Sequence, residues 1–293
     1  MKKIKLGDRL FDVLNTLFLV TIFLVTVYPL YYIVIASFSE PQMVLTGGVT
    51  LFPRGFQLES YKLVFKNNEI ITGYLNSIFY TVLGTVVNLA FTLLAAYSLS
   101  RKDLKGRKFF TLMFAFTMFF GGGTIPTYML VKSLGMINSV WALVIPNAIS
   151  VWNLILCRNH FEVNIPGELL EVAQIEGCRN FYFFRKIALP LSGSLIAVMT
   201  LFYGVGHWNS YFQPMLYLTD KAKYPLQLVL KNILVSSQPD ATLAGLTNRV
   251  ELYQQTEMLK YALVVVSSLP MIMLYPFVQK HFVQGIMVGS IKG

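Results

Sequence analysis

The sequence predicts an all-α integral membrane protein with six transmembrane helices and both termini in the cytoplasm. Three observations predict it. Of 293 residues, 55% are hydrophobic and only 13% charged, against about 25% charged in a soluble domain, so there is too little charge to cover a water-exposed surface. The apolar residues gather into six stretches free of Asp, Glu, Lys and Arg: 13–39, 70–100, 109–131, 133–157, 187–219 and 261–279. Each is long enough to cross a bilayer, which takes roughly 20 residues. The basic residues, finally, are distributed unequally between the two sides that these spans define.

The stretches are apolar on both parities. Strands of a membrane barrel would alternate over about ten residues, so helices are the reading, because in lipid each segment must satisfy its own backbone. Val13–Ser39 follows Lys2, Lys3, Lys5 and Arg9. It is longer than the h-region of a signal peptide and no small-residue cleavage site follows, so it reads as a retained first helix. The stretches 70–100 and 187–219 exceed what a bilayer needs and must tilt or emerge. The third and fourth are separated by Lys132 alone, and Gly135, Asn138 and Ser139 supply turn and cap between two helices. Gly121-Gly122-Gly123-Thr124 lies mid-span and reads as a flexible or closely packed point within the third helix.

Six spans put the N-terminus, 101–108, 158–186 and the tail 280–293 on one side, with 15 of the 24 basic residues; the loops 40–69 and 220–260 lie on the other with Lys132, and that side holds 9. The positive-inside rule makes the first side cytoplasmic, most firmly at Arg101–Lys108. Topology thereby accounts for the net charge of +10, and no nucleic-acid partner is implied. Cys157 and Cys178 fall on that reducing side without metal-ligand spacing and read as structural.

No catalytic constellation or metal-ligand set appears: His160, His207 and His281 are scattered, and there is neither a nucleotide-binding P-loop nor a paired carboxylate. The spans also lack the acids and bases that ion-coupled carriers use as relays. His207, near the outer end of the fifth span, reads as a neutral interfacial histidine. Uphill transport by such a chain would need energy from a partner.

The segment after the fourth span carries the most information. Pro166 suits the first turn of a helix, Glu168 and Glu171 face its positive dipole end, and Gly177 suits a left-handed cap. About three amphipathic turns result. Asn180 is placed to cap a second helix over 181–189, which Pro190 interrupts. Four acidic residues (Glu162, Glu168, Glu171, Glu176) disfavour an anionic lipid surface and favour docking in a protein groove.

Glu171-Val172-Ala173, Glu176-Gly177-Cys178 and Ile187-Ala188-Leu189-Pro190 resemble the EAA motif of ABC-importer permeases, with Val172, Glu176, Cys178 and Ser194 as departures. Trp208-Asn209, Phe212 and Pro214 resemble the fifth-helix region of sugar-type permeases, and 279–293 the tail of maltose-transporter-like ones. Leu6–Arg9 and Tyr224–Leu228 look most like the LplC/YtcP branch. The resemblance covers nearly the whole chain. It implies the type I importer permease fold and a transport subunit, not an enzyme, in a multi-pass bacterial cytoplasmic-membrane complex that imports a carbohydrate of the oligosaccharide kind.

The same resemblance implies the partners: a second permease chain of different sequence, a dimer of ATP-binding subunits that holds ATP and Mg, and an extracellular solute-binding protein. Glu171, Ala173, Glu176, Gly177, Ile187, Leu189 and Pro190 would form the coupling loop within 158–190. Gly285, Gly289, Lys292 and Gly293 would reach the ATPase, and 239–248 would meet the binding protein. For the sugar path, polar and aromatic residues within spans are the candidates: Asn76, Tyr80, Asn147, Asn153, Tyr203, Trp208, Asn209 and Tyr211, with Asn88 and Tyr128 beside them. The competing readings are a standalone channel or ion-coupled carrier for a polar solute, and a membrane scaffold.

Overall fold

In the computed structural model, residues 6–236, 259–274 and 276 are described. They form helices joined by short connections, with no strand among the described residues. Two compact units result. One comprises the described residues up to Asn68 with those of Leu230–Leu269; the other comprises Glu69–Val229 with the described part of Pro270–Gly293.

In the first unit, α1 (Leu6–Ser37) holds 32 residues, about 48 Å at 1.5 Å per residue. Its apolar side chains are exposed along nearly the whole length, from Leu10 to Tyr31. A helix that is apolar all round without protein covering it belongs in lipid. Thr16, Thr21 and Thr26 each return the hydroxyl to a carbonyl four residues back, which satisfies those hydroxyls without water.

The segment following α1, read above as an external loop, folds back on the helix end. Tyr31 donates to the Leu51 carbonyl (2.6 Å), Ser37 shares a hydrogen bond with Tyr61 (2.7 Å), and Phe38 stacks on Phe56. Two helices, α2 (Pro41–Leu45) and α3 (Glu59–Lys66), lie within it.

The second unit is built on α4 (Asn68–Ser100), one unbroken helix of 33 residues. Individually, α1 (from Leu10) and α4 are long and apolar enough to cross a membrane. Three other expected spans are not continuous helices. The stretch 109–131 breaks at Phe120–Gly123 into α5 (Arg107–Phe119) and α6 (Thr124–Ser133), bent by 115°. Gly121–Gly123 is thus a break rather than a packed point. No atom lies near a Cβ built on Gly121, and Gly123 takes φ 85°, a region few other residues adopt.

The stretch 133–157 holds only a short α7 (Trp141–Val144) before Pro146 and an irregular segment; α8 (Val151–Asn164) then begins late and runs well past Cys157. The stretch 187–219 bends by 84° at Ser192 between 180–191 and α12 (Gly193–Trp208), and breaks again before α13 (Phe212–Tyr217). Two shorter apolar helices follow, α14 (Leu226–Ser236) and α15 (Leu259–Leu274).

Two buried clusters hold the second unit. At one end Ala96, Tyr97, Leu154, Cys157, Phe161, Phe183 and Ala188 join α4, α8 and the 180–191 segment. At the other, Tyr80, Val131, Leu143 and Tyr217 join α4, α6, α7 and α13. There Gly135 (φ 67°) makes the expected turn, its N–H bonded to the Lys132 carbonyl and that of Met136 to Val131. Asn138, also left-handed, ties this turn to the next loop: its carboxamide oxygen accepts from the N–H groups of Thr219 and Asp220.

Candidate functional site

Two regions of the second unit have the makings of a site. The first surrounds α9 (Gly167–Ile175). Pro166 is its N-cap residue, one position earlier than the sequence suggested. Its C-terminus is closed by a double bond pattern, Cys178 N–H to the Ala173 carbonyl (2.8 Å) and Gly177 N–H to Gln174 (3.0 Å). Gly177 sits at φ 74°. This is the Schellman arrangement, which satisfies carbonyls the helix would otherwise leave bare.

Ala173 is buried in the cluster with Phe183 and Phe184, and Leu170 packs beside it. The opposite face is open: Leu169 is 43%, Val172 56% and Ile175 86% exposed. Glu171 and Glu176 are exposed as well, so α9 offers an apolar stripe flanked by carboxylates.

Beyond Gly177 the backbone does not follow the expected single helix. Arg179 is the N-cap residue rather than Asn180, and α10 (Asn180–Phe183) passes into a π turn over Phe184–Ala188 before α11 (Leu189–Leu191). Pro190 is the last residue but one of this helical run, which ends at Leu191 just before the bend at Ser192, two residues beyond the expected limit. A proline removes one N–H and crowds the carbonyl four residues back, and a wider turn just ahead of it relieves both demands. Ile187 and Leu189 pack against the buried cluster, whereas Pro190 is exposed.

A cavity of about 570 Å³ lies between α9 and the 101–107 connection, with Glu171 and Gln174 on one wall and Arg101 and Arg107 on the other. Arg101 makes paired bonds to Asp103 (2.8 Å each) and one to Tyr97. The hydrogen bond from Arg101 holds the Asp103 carboxyl below the usual carboxylate range, and the same bond raises Arg101. Arg107, the first residue of α5, donates Nε to the Leu99 carbonyl of α4 (2.8 Å) and forms an ion pair with Glu162 of α8. Arg158 meets the same carboxylate at 3.0 Å. Three helices thus meet at one side chain next to α9.

The second region is a cavity of about 600 Å³ in the middle of the unit. It gathers Asn147, Asn153, Tyr203, Asn209 and Tyr211 from the candidate sugar path, together with Asn88 and His207. The Asn88 amide donates to the Asn147 carbonyl (2.8 Å). A carbonyl only accepts, so this fixes the orientation of Asn88, and its carboxamide oxygen accepts from His207 Nε2 at 3.2 Å. Tyr203 shares a hydrogen bond with Thr92 (2.6 Å) and receives the Ser150 N–H (3.3 Å), tying α4, α8 and α12 together.

His207 is accordingly not an interfacial histidine. It packs inward on Gly84, where an added Cβ would lie 2.4 Å from Nε2. Its pairing with Gly84 and Asn88 links residues more than a hundred positions apart, a relation that apolar periodicity does not carry.

Three of the sugar-path candidates lie elsewhere. Asn76 and Tyr80 donate to the carbonyls of Ala222, Tyr224 and Lys223, anchoring that loop. Trp208 is buried edge-on against Tyr74. Tyr128 stacks on Tyr217. Gly285, Gly289, Lys292 and Gly293, and the segment 239–248, lie outside the described residues. Among the described residues no group of His, Cys, Asp and Glu is placed to hold a metal ion.

No protein-family model matches the chain. It is 42% identical over 287 residues to the polygalacturonan/rhamnogalacturonan transport system permease protein YtcP of Bacillus subtilis (strain 168), covering 98% of this chain and 99% of that protein. The chain belongs to the permease subunits of carbohydrate ABC transport systems. Protein LplC of the same organism is also 42% identical to this permease, the match covering 98% of the permease and 96% of LplC. In the crystal structure of a bacterial ABC transporter involved in the import of the acidic polysaccharide alginate, one chain matches the permease with a TM-score of 0.87 at 33% identity. That match covers 96% of the permease and 100% of the other chain. The resemblance read from the EAA-like segment is borne out at the level of family, and with it the reading as a transport subunit.

Proposed function

We propose that this permease crosses the cytoplasmic membrane six times with both termini inside, and that α9 is the handle by which a separate ATPase drives it. The observation that carries the proposal is the exposed stripe Leu169, Val172 and Ile175 on a helix closed at its C-terminus by the Cys178 and Gly177 N–H bonds and seated on the core through Ala173. Exposed apolar residues rimmed by charge mark a protein interaction site, and the carboxylates of Glu168, Glu171 and Glu176 argue against lipid as the partner.

In this reading a dimer of ATP-binding subunits holds ATP and Mg, and its closure moves α9. A second permease of different sequence completes the channel, and an extracellular binding protein delivers an oligosaccharide. The central cavity lined by Asn147, Asn153, Tyr203, Asn209 and Tyr211 is its path. Amides, hydroxyls and an aromatic face in one concavity suit a polyhydroxy ligand. The polysaccharide names borne by YtcP and by the alginate transporter support a substrate of sugar type.

Replacing Val172 and Ile175 by Asp tests the proposal. The permease still inserts, while the ATPase no longer co-purifies and ATP-dependent uptake into vesicles is lost. Retained co-purification with unchanged uptake would refute the role of α9.

A further inference from the structure

The central cavity has a polarity that its residue types alone do not announce. It is bordered by the start of α8, a helix of 14 residues whose N-cap, Ser150, is extended (φ −80°, ψ 119°) and makes no side-chain cap. The first bond of the helix runs from the Leu154 N–H to the Ser150 carbonyl. The N–H groups of Val151, Trp152 and Asn153 precede it and meet no acceptor among the described residues. A helix start in this condition carries about half a positive elementary charge. Ser150 and Asn153 bring it to the cavity wall.

A second observation is independent of the helix end. Asn153 is only 7% exposed, yet its carboxamide forms no hydrogen bond among the described residues and it borders the cavity. Its amide opens onto the cavity, placed where a ligand would supply the acceptor. The side-chain amides of Asn209 and Gln213 on the same wall are likewise without bonds. None of the cavity-lining residues is Asp or Glu, so nothing repels an anion; none is Lys or Arg, so a doubly charged phosphate would meet no full counter-charge.

We infer that the α8 N-terminus and the Asn153 amide form a subsite for the carboxylate of a hexuronate unit in the transported sugar. The inference rests on reading this cavity as the sugar path. A single negative charge matches the partial charge of the helix end, and the two oxygens of a carboxylate accept from Asn153 and from a first-turn N–H. Helix ends interrupted at mid-membrane are suited to such groups.

The test uses the complete transporter in lipid nanodiscs, with digalacturonate as probe and neutral galactobiose as reference, binding measured by saturation-transfer NMR. Digalacturonate is expected to bind more tightly. Asn153→Asp puts a fixed negative charge where the helix accepts one without loss of folding, and the affinity ratio of acidic to neutral disaccharide falls at least tenfold. Asn153→Leu, which removes the donor and adds no charge, lowers the ratio about threefold. A ratio that Asn153→Asp leaves unchanged, both sugars still binding, overturns the subsite and spares the path. Gly206→Trp fills the same cavity from a position with open space beside it. If that variant alters neither affinity, or the wild type binds neither sugar, the path reading fails and the subsite with it.

Discussion

His160 sits beyond the apolar part of α8, its Nδ1 3.2 Å from the Asn164 amide and its Nε2 buried without a partner. The amide nitrogen donates, so Nδ1 accepts and the proton is on Nε2. Burial lowers its pKa below the ordinary histidine value. The unfolded chain then binds this proton more readily, so stability is full above about pH 6.5 and declines as pH falls below it. The thermal midpoint of the assembled transporter is expected to drop between pH 7.5 and 5.5, and His160→Gln to reduce that slope; equal slopes in the two proteins would contradict it. Gly84 makes a second case at this scale. An added methyl would collide with His207 and break its bond to Asn88. Gly84→Ala is expected to destabilise by about 1–3 kcal/mol and to reduce uptake, whereas Gly206→Ala, with open space beside it, leaves thermal stability unchanged.

Among the elements, α9 and the end of α8 depend on few groups. Gly177 has open space around it, so any objection to a side chain there comes from its left-handed backbone alone. Gly177→Ala costs roughly 1–2 kcal/mol on that account. Gly177→Pro goes further and also deletes the N–H that bonds Gln174, releasing the cap. The proline variant is expected to hydrolyse ATP in the assembled complex while uptake is lost; wild-type uptake would contradict this. Glu162 faces two guanidinium groups, and burial together with neighbouring Arg107 already lowers the pKa of Arg158. Glu162→Gln leaves both cations facing one another and should cost about 1–3 kcal/mol, seen as a lower thermal midpoint. Glu162→Asp, which keeps the charge, recovers part of it.

For the molecule as a whole, the membrane class and the transport family were legible, the first in the shortage of charge, the second in Glu171, Gly177 and the Ile187–Pro190 spacing. The course of the backbone inside the apolar stretches was not. Hydropathy reports what a residue prefers as surroundings and is silent on chain direction, so 109–131 and 133–157 read as straight spans although Gly121–Gly123 and Pro146 were visible in them. The grouping of Asn147, Asn153 and Tyr203 in one cavity was hidden for the same reason: it depends on those breaks. Pro190 marked the end of the 180–191 run to within two residues, whereas the π turn ahead of it left no mark in the sequence pattern. The chain reconstituted alone in vesicles is expected to accumulate no sugar, with ATP-dependent uptake appearing only when the other subunits are added; accumulation by the lone chain would favour the carrier reading.

The bare stripe on α9 also bears on how the subunit is made. With α9 inside the cell, as proposed, a copy synthesised ahead of its ATPase would hold Ile175 and Val172 out in water, where chaperones and proteases seek such oily side chains. Production of the two proteins in step, or rapid clearance of the surplus, is therefore something the cell must arrange.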